Sequence, residues 1–202
     1  MAIVIDLIGS MILAGFVTLL GLRLNANISN SAQSYKADVI VQENLVSLVQ
    51  SIEYDFRKMG YRVQDPTQVI LRADSDHITF RGDINDNGVI DTVEWYLGGY
   101  VTSTPNPRDR ILYRRLRPVA SGTGLIGSLP GVTVFGLKYL NHEAMPPSTL
   151  GQIWIVETTL RVESPWKVQD RAVDAQDYGL WTYSAAFWRQ TRLASRNLKR
   201  HG

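Results

Sequence analysis

The 202-residue chain contains no cysteine. That absence excludes disulfide staples, thiolate metal sites and cysteine nucleophiles, and leaves the compartment open. Net charge is also scarce. Lys and Arg number 21 against 19 Asp and Glu, a balance of +2, which does not suggest a polyanionic partner. The histidines are few, His77, His142 and His201, and they fall in a strand, a loop and the tail without metal-ligand spacing. Neither G-x-S-x-G nor H-E-x-x-H occurs, so the chain offers no nucleophile or metal set for a hydrolase. No repeat or low-complexity segment is visible. The hydrophobic fraction, 45%, is that of an ordinary globular chain, and the length suits one domain with a real core plus an appendage.

Residues 2–22 also lack something: Lys, Arg and Pro are missing, and Asp6 is the sole acid. About 20 apolar residues suffice to cross a bilayer core as a helix. A cleaved secretory signal has a basic start and a shorter apolar run, roughly 7–15 residues. An uncleaved anchor is therefore expected. From Asn25 onward the pattern turns amphipathic. Val41, Leu45, Leu48, Ile52, Phe56 and Met59 recur at three- and four-residue steps, with Lys36, Asp38, Gln42, Glu43 and Glu53 between them. Nothing breaks the two parts, so one helix of roughly 85 Å is expected, ended by Gly60 as a C′ glycine. Asn25, Asn27, Ser29, Asn30 and Ser31 mark either the membrane exit or a locally melted turn. Arg23 is placed to snorkel to headgroups.

Within the anchor, Ser10, Ala14 and Thr18 stand four residues apart, with Gly9 and Gly15 beside them. Small residues at that spacing let helices approach closely in lipid. An acid in such a segment is expensive and usually has a partner. Asp6 either meets one, or lies near enough to the helix end to reach headgroup water and favour the N-terminal dipole.

After Gly60 the hydrophobic period falls to two. Residues 69–71, 77–80, 93–97, 111–116, 132–140, 153–162 and 180–187 read as strands. Pro- and Gly-rich stretches at 104–107, 121–131 and 144–151 separate some of them. One helix followed by a run of strands predicts an α+β fold, with an antiparallel sheet covering the helix's amphipathic half. The divisions are 1–24 for the membrane-embedded half of the helix, 25–60 for its amphipathic half and 61–202 for a β-rich globular domain.

The strongest motif is the run from Asp83 to Glu94, which fits D-x-[DN]-x-[DN]-G-x₅-E. Asp83, Asn85 and Asn87 offer side-chain oxygens, Val89 its carbonyl, Asp91 a direct or water-borne ligand and Glu94 two oxygens. Calcium takes such hard donors. Gly88 permits the sharp turn, and Ile90 suits the inward apolar position. The flanks read as strands, which disagrees with an EF-hand. The other reading is a β-hairpin with Asp86, Asn87 and Gly88 at its tip and its acids merely solvated.

Three further patterns carry less. Residues 122–127 match G-x-G-x-x-G, but Pro130 follows where a helix is required, so a flexible loop is expected. Arg108, Arg110, Arg114, Arg115 and Arg117 could bind phosphate; an edge strand uses charge in the same way to resist unwanted pairing. Trp95, Tyr96, Trp154, Trp181, Tyr183 and Trp188 fit a core better than a ligand platform.

The long helix, apolar with one acid near its start, then amphipathic, then followed by strands, resembles the type IV pilin superfamily, and within it the minor pilins and pseudopilins. Later fragments resemble it too, in order: ITF, an acidic turn and VEWYL; LYRR at Leu112 to Arg115; RNL at Arg196 to Leu198. The resemblance implies a non-enzymatic filament or secretion-pseudopilus subunit. Its helix would bundle with copies of itself or related subunits through Asp6, Gly9, Ser10, Ala14 and Thr18. With Met1 removed, Asp6 becomes fifth, where family members carry an acid (usually Glu) that neutralises a neighbour's N-terminal amine. The domain would lie outside the cytoplasmic membrane or on an extracellular filament. No small-molecule substrate or nucleic-acid partner is expected. The rival expectation is a membrane-tethered module that binds a glycan, peptide or nucleic acid through its sheet.

Overall fold

The computed structural model describes residues 2–118, 124–169 and 181–193. Among these residues are one α-helix, α1 (Ala2–Arg57), two single-turn 3-10 helices (Pro66–Gln68 and Leu150–Gln152) and seven strands: β1 (Ile70–Ala73), β2 (His77–Gly82), β3 (Asp91–Tyr100), β4 (Arg110–Pro118), β5 (Gly124–Leu140), β6 (Ile155–Gln169) and β7 (Trp181–Leu193). The strands form a single sheet in chain order, each antiparallel to the next. This is the expected α+β architecture: one long helix on an antiparallel sheet.

The helix is unbroken from Ala2 to Arg57, so the polar patch at residues 25–31 is helical and no turn melts there. Its two halves differ in surroundings. Residues 3–29 are exposed throughout, Ile3, Leu13, Phe16 and Val17 among them. Burial begins at Ser34 and Ala37 and continues through Val41, Leu48, Ile52 and Phe56. These positions share one stripe at helical spacing. The exposed arm, residues 3–29, is about 40 Å long at ~1.5 Å per residue.

The seated half lies chiefly along β6 and β7, where the Ser184 hydroxyl donates to Asp38 Oδ1 at 2.5 Å. Alternation puts Ile78, Phe80, Val93, Trp95, Leu112, Val156, Leu160 and Val162 on the helix side, all essentially inaccessible. Each such side chain stabilises the fold by about 1.5–3 kcal/mol through burial. The other sheet face is open to solvent, as an antiparallel sheet allows.

The helix stops earlier than Gly60. Lys58 N–H still bonds back to Tyr54 O at 3.3 Å, but Gly60 N–H turns away to Arg81 O on β2 at 2.8 Å. Gly60 has φ +75°, a left-handed value that glycine adopts without strain. It ties the helix end to the sheet rather than closing the helix on itself. Two other expectations change. The glycine-rich run is not a loop where it is described: from Gly124 it belongs to β5, hydrogen-bonded to β4, and no helix follows. The basic strand β4 is not an edge strand. It sits between β3 and β5, so its arginines serve other ends.

Candidate functional site

The free arm carries every residue expected to mediate assembly. Asp6, Gly9, Ser10, Ala14 and Thr18 are all exposed. Ser10 Oγ donates to Leu7 O and Thr18 Oγ1 to Ala14 O, each at 2.8 Å. Both hydroxyls are thus satisfied by their own helix, a common habit of Ser and Thr in apolar settings. What remains outward is methyl and methylene. A Cβ built on Gly9 or Gly15 would meet nothing within 4 Å. The stripe is therefore smooth, narrow and unoccupied by the protein's own domain.

At the far end of the helix lies an arrangement that motif reading missed. Asp55 is fully buried, although it occupies the apolar stripe between Ile52 and Phe56. Arg114 reaches it from β4 with two bonds, Nε to Oδ2 at 2.6 Å and Nη2 to Oδ1 at 2.7 Å. Trp95 Nε1–H adds a third at 2.8 Å. The hydrogen bonds that Arg114 donates to Asp55 push its guanidinium above its ordinary range, outweighing the opposing effect of burial. The sequence signal was a lone acid on an apolar helix face and a lone cation in the inward phase of a strand, between Leu112 and Leu116.

The remaining arginines of the basic segment also have partners. Arg115 and Arg117 approach Glu94 Oε2 at 3.6 and 3.5 Å, and His77 Nε2 lies 2.9 Å from Glu94 Oε1. These groups line the open sheet face. There the register sets His77, Tyr96 and Tyr113 in one row across three strands. Tyr96 and Tyr113 stack with ring centroids 5.0 Å apart, and the His77 ring lies tilted at 31° against Tyr96 with centroids 5.3 Å apart. Tyr96 is thus a solvent-face residue, whereas Trp95 beside it is core. Arg108 Nη2 binds Glu163 Oε2 at 2.9 Å, in a polar cluster that also holds the buried residues Asn106, Asp109 and Ser164.

The loop at residues 83–90 joins β2 to β3, strand to strand. It is not a minimal hairpin tip with solvated acids, because Asp83 and Asp91 are both fully buried. Asp83 Oδ1 accepts the Asn87 N–H at 3.1 Å, and Oδ2 accepts the Gly88 N–H and Arg62 Nη1, both at 2.9 Å. Asn85 Oδ1 accepts the Asn87 N–H and Asn87 Oδ1 the Val89 N–H. Asp91 Oδ2 accepts the Ile84 N–H at 3.3 Å. Lys58 pairs with Asp86. Ile84, rather than Ile90, is the loop's core residue. Glu94 does not join this group: it faces the open side of the sheet, while Asp91, three residues earlier, faces the helix. Among the described residues no three His, Cys, Asp or Glu side chains converge as a metal-binding group.

Electrostatics separate the two buried acids. Burial pushes the Asp83 carboxyl up, but the Gly88 and Asn87 amides and the Arg62 guanidinium together hold it below the ordinary carboxylate range. Burial pushes Asp91 up as well. The Ile84 amide and Arg114 oppose this, the negative Asp83 adds to it, and the carboxyl ends above its ordinary range. Sequence reasoning missed Arg62 and Lys58, which lie between helix and sheet and belong to no motif.

The RNL fragment at 196–198, His201 and the other residues after Leu193 lie outside the described residues, as do Gly122 and Thr123 and the side chain of Trp181. Compared with known proteins, the chain matches no family model, no curated protein and no solved structure.

Proposed function

We propose that this protein is a structural subunit of a type IV pilus-like filament or secretion pseudopilus, assembled through its N-terminal helix and held in the membrane by the same segment before assembly. The observation that carries the reading is the free arm: a helix at residues 3–29 whose large apolar side chains are all exposed. Water does not tolerate such a surface. A bilayer satisfies it in the monomer, since its apolar core is about 30 Å thick. A bundle of like helices satisfies it in a filament, where the Gly9, Ser10, Ala14 and Thr18 stripe permits close approach and Asp6 pairs with a neighbour's terminal amine. The domain, by contrast, is closed by its own core, and its role is to present a surface rather than to catalyse a reaction.

The test is direct. Intact cells are sheared, the released material is pelleted and imaged, and the chain and its N-terminal peptide are identified by mass spectrometry. Recovery in thin filaments supports the proposal. Retention of all the protein in the membrane fraction, with no self-association of the purified chain in vesicles, favours a tethered binding module instead. The row of stacked rings and arginines on the open sheet face is the feature that favours this second reading.

A further inference from the structure

The loop at residues 83–91 fails as an EF-hand, because Glu94 lies on the wrong face and is engaged by His77, Arg115 and Arg117. What is left is still an oxygen-rich enclosure. Asp83, Asn85 and Asn87 turn their carboxylate and amide oxygens into the loop, where each accepts a backbone N–H. A carboxylate or amide oxygen has two lone pairs, so Asp83 Oδ1, Asn85 Oδ1 and Asn87 Oδ1 each keep one. The independent observation is Asp91. It is fully buried, it closes the base of the loop against the Ile84 amide, and its Oδ1 has no hydrogen-bond partner among the described residues. A buried, unpartnered carboxylate oxygen is rare and demands a reason.

The charges point the same way. Two buried carboxylates share this enclosure, and among the described residues a single cation, Arg62, touches one of them. Arg62 contacts Asp83 from a half-exposed position, and its backbone is left-handed at φ +61°, an unusual posture for a residue with a side chain. Lys58 is committed to Asp86, outside the ring of oxygens. Arg114, whose charge acts on Asp91, is held by both oxygens of Asp55.

We propose that residues 83–91 form a calcium site in which Asp83, Asn85, Asn87, the Val89 carbonyl and Asp91 supply the protein oxygens. Glu94 takes no part, and Arg62 is a tethered cation that calcium displaces from Asp83. Calcium accepts six to eight oxygens in irregular geometry, whereas magnesium demands a tight octahedron. Five donors on a strand-flanked loop, completed by water, fit the former. Lacking a bidentate glutamate and opposed by Arg62, the site belongs to the weak class, with Kd about 10⁻⁴–10⁻³ M.

The experiment uses the full chain in detergent micelles after treatment with chelator. Calcium chloride and magnesium chloride are titrated in parallel while Tm is followed. Terbium luminescence excited through tyrosine reports on the loop itself, because the Tyr54 hydroxyl donates to Ile84 O at 2.8 Å. Calcium is expected to raise Tm and to displace terbium, and magnesium at equal concentration to do neither. Arg62→Gln is expected to tighten calcium binding about fivefold, the loss of one exposed competing ion pair. Glu94→Gln is expected to leave it unchanged. Asp91→Asn and Asn87→Ala are each expected to abolish the response; Asn87 is exposed, so its variant tests the site even if the buried one fails to fold. The proposal is overturned by no response of the parent chain up to about 10 mM calcium, by loss of the response in Glu94→Gln, or by unchanged or weaker binding in Arg62→Gln.

Discussion

Asp55 and Arg114 face each other in a bidentate pair at 2.6 and 2.7 Å, one on the helix and one on the middle strand of the sheet. The pair fixes the rotation of the helix about its axis, which apolar packing alone leaves loosely defined. Replacing one partner strands the other charge in the interior. Asp55→Ala is expected to cost about 3–5 kcal/mol, seen as a lower midpoint in denaturant unfolding. Asp55→Ala combined with Arg114→Met is expected to recover much of that loss. A double variant as unstable as the sum of the singles would mean that the two side chains do not act as a unit.

Asp109 predicts an unusual pH dependence. It is fully buried, and neither carboxylate oxygen has a hydrogen bond of normal geometry. Burial pushes its carboxyl up. Thr104 and Arg108 relieve this in part, and the nearby negative Glu163 adds to it. The folded state therefore holds the Asp109 proton more tightly than the unfolded chain does. The stability this contributes is complete below the unfolded value, near 3.9, and is lost as pH rises through the higher folded value. Asp109→Asn, neutral at every pH, is expected to be more stable than the parent by on the order of 1 kcal/mol at pH 7. The advantage should vanish near pH 3.5. Thermal melts across that range would show it, and a difference independent of pH would refute the assignment.

Gly82 predicts a steric failure. It ends β2 against the turn that leaves the helix, and a Cβ there would overlap the carbonyl oxygen of Lys58. That atom is backbone, so it cannot swing aside. Gly82→Ala is expected to destabilise by about 1–3 kcal/mol and to lower Tm by roughly 5 °C. Gly99, with nothing near its Cβ, supplies the control: Gly99→Ala should change little.

Asp6 and Ala14 test the free arm. Neither touches the domain, so Asp6→Ala and Ala14→Trp are expected to leave Tm and the circular dichroism of the sheet unchanged. Filament yield after shearing should fall about tenfold or more with either, through a lost charge pair in one and a blocked close approach in the other. Normal yield from Asp6→Ala would remove the acid from the assembly contact.

The fold was legible because its periods were clean. Ile78 and Phe80 in β2, Val93 and Trp95 in β3, and Val156, Leu160 and Val162 in β6 alternate as a half-buried strand must, and all seven strands appear where the alternation put them. Their ends were less legible. β5 begins at Gly124, within a glycine-rich run whose local preference is for turns, because pairing with β4 overrides that preference. The edge-strand reading of the arginines failed for a related reason: composition marks a strand as charged but does not say what lies beside it. Seen by phase, Arg114 separates at once from Arg115 and Arg117. It points at the helix, where Asp55 is the sole acid on the apolar stripe. The calcium motif was legible as a run of letters, but strand phase decides which oxygens can meet. Asp91 is inward and Glu94 is outward, and no spacing rule for a helical loop contains that fact. Arg62 and Lys58 were invisible because their role depends on the helix end reaching the β2–β3 loop.

The bond between Asp38 and Ser184 joins residues 146 positions apart. Every strand pairs with the next one made, so the sheet can zip up by local steps as the chain emerges. The helix shares in this only in part: its chief seat is β6 and β7, the last of the described strands in chain order. Until those strands are made, chiefly the end of its amphipathic half, at Asp55 and Phe56, has partners, on β2, β3 and β4. The apolar arm ahead of it must already be shielded from water by then. The order of synthesis therefore separates two events, burial of the arm first and closure of the domain second, and a chain truncated before β7 would have begun the first without being able to complete the other.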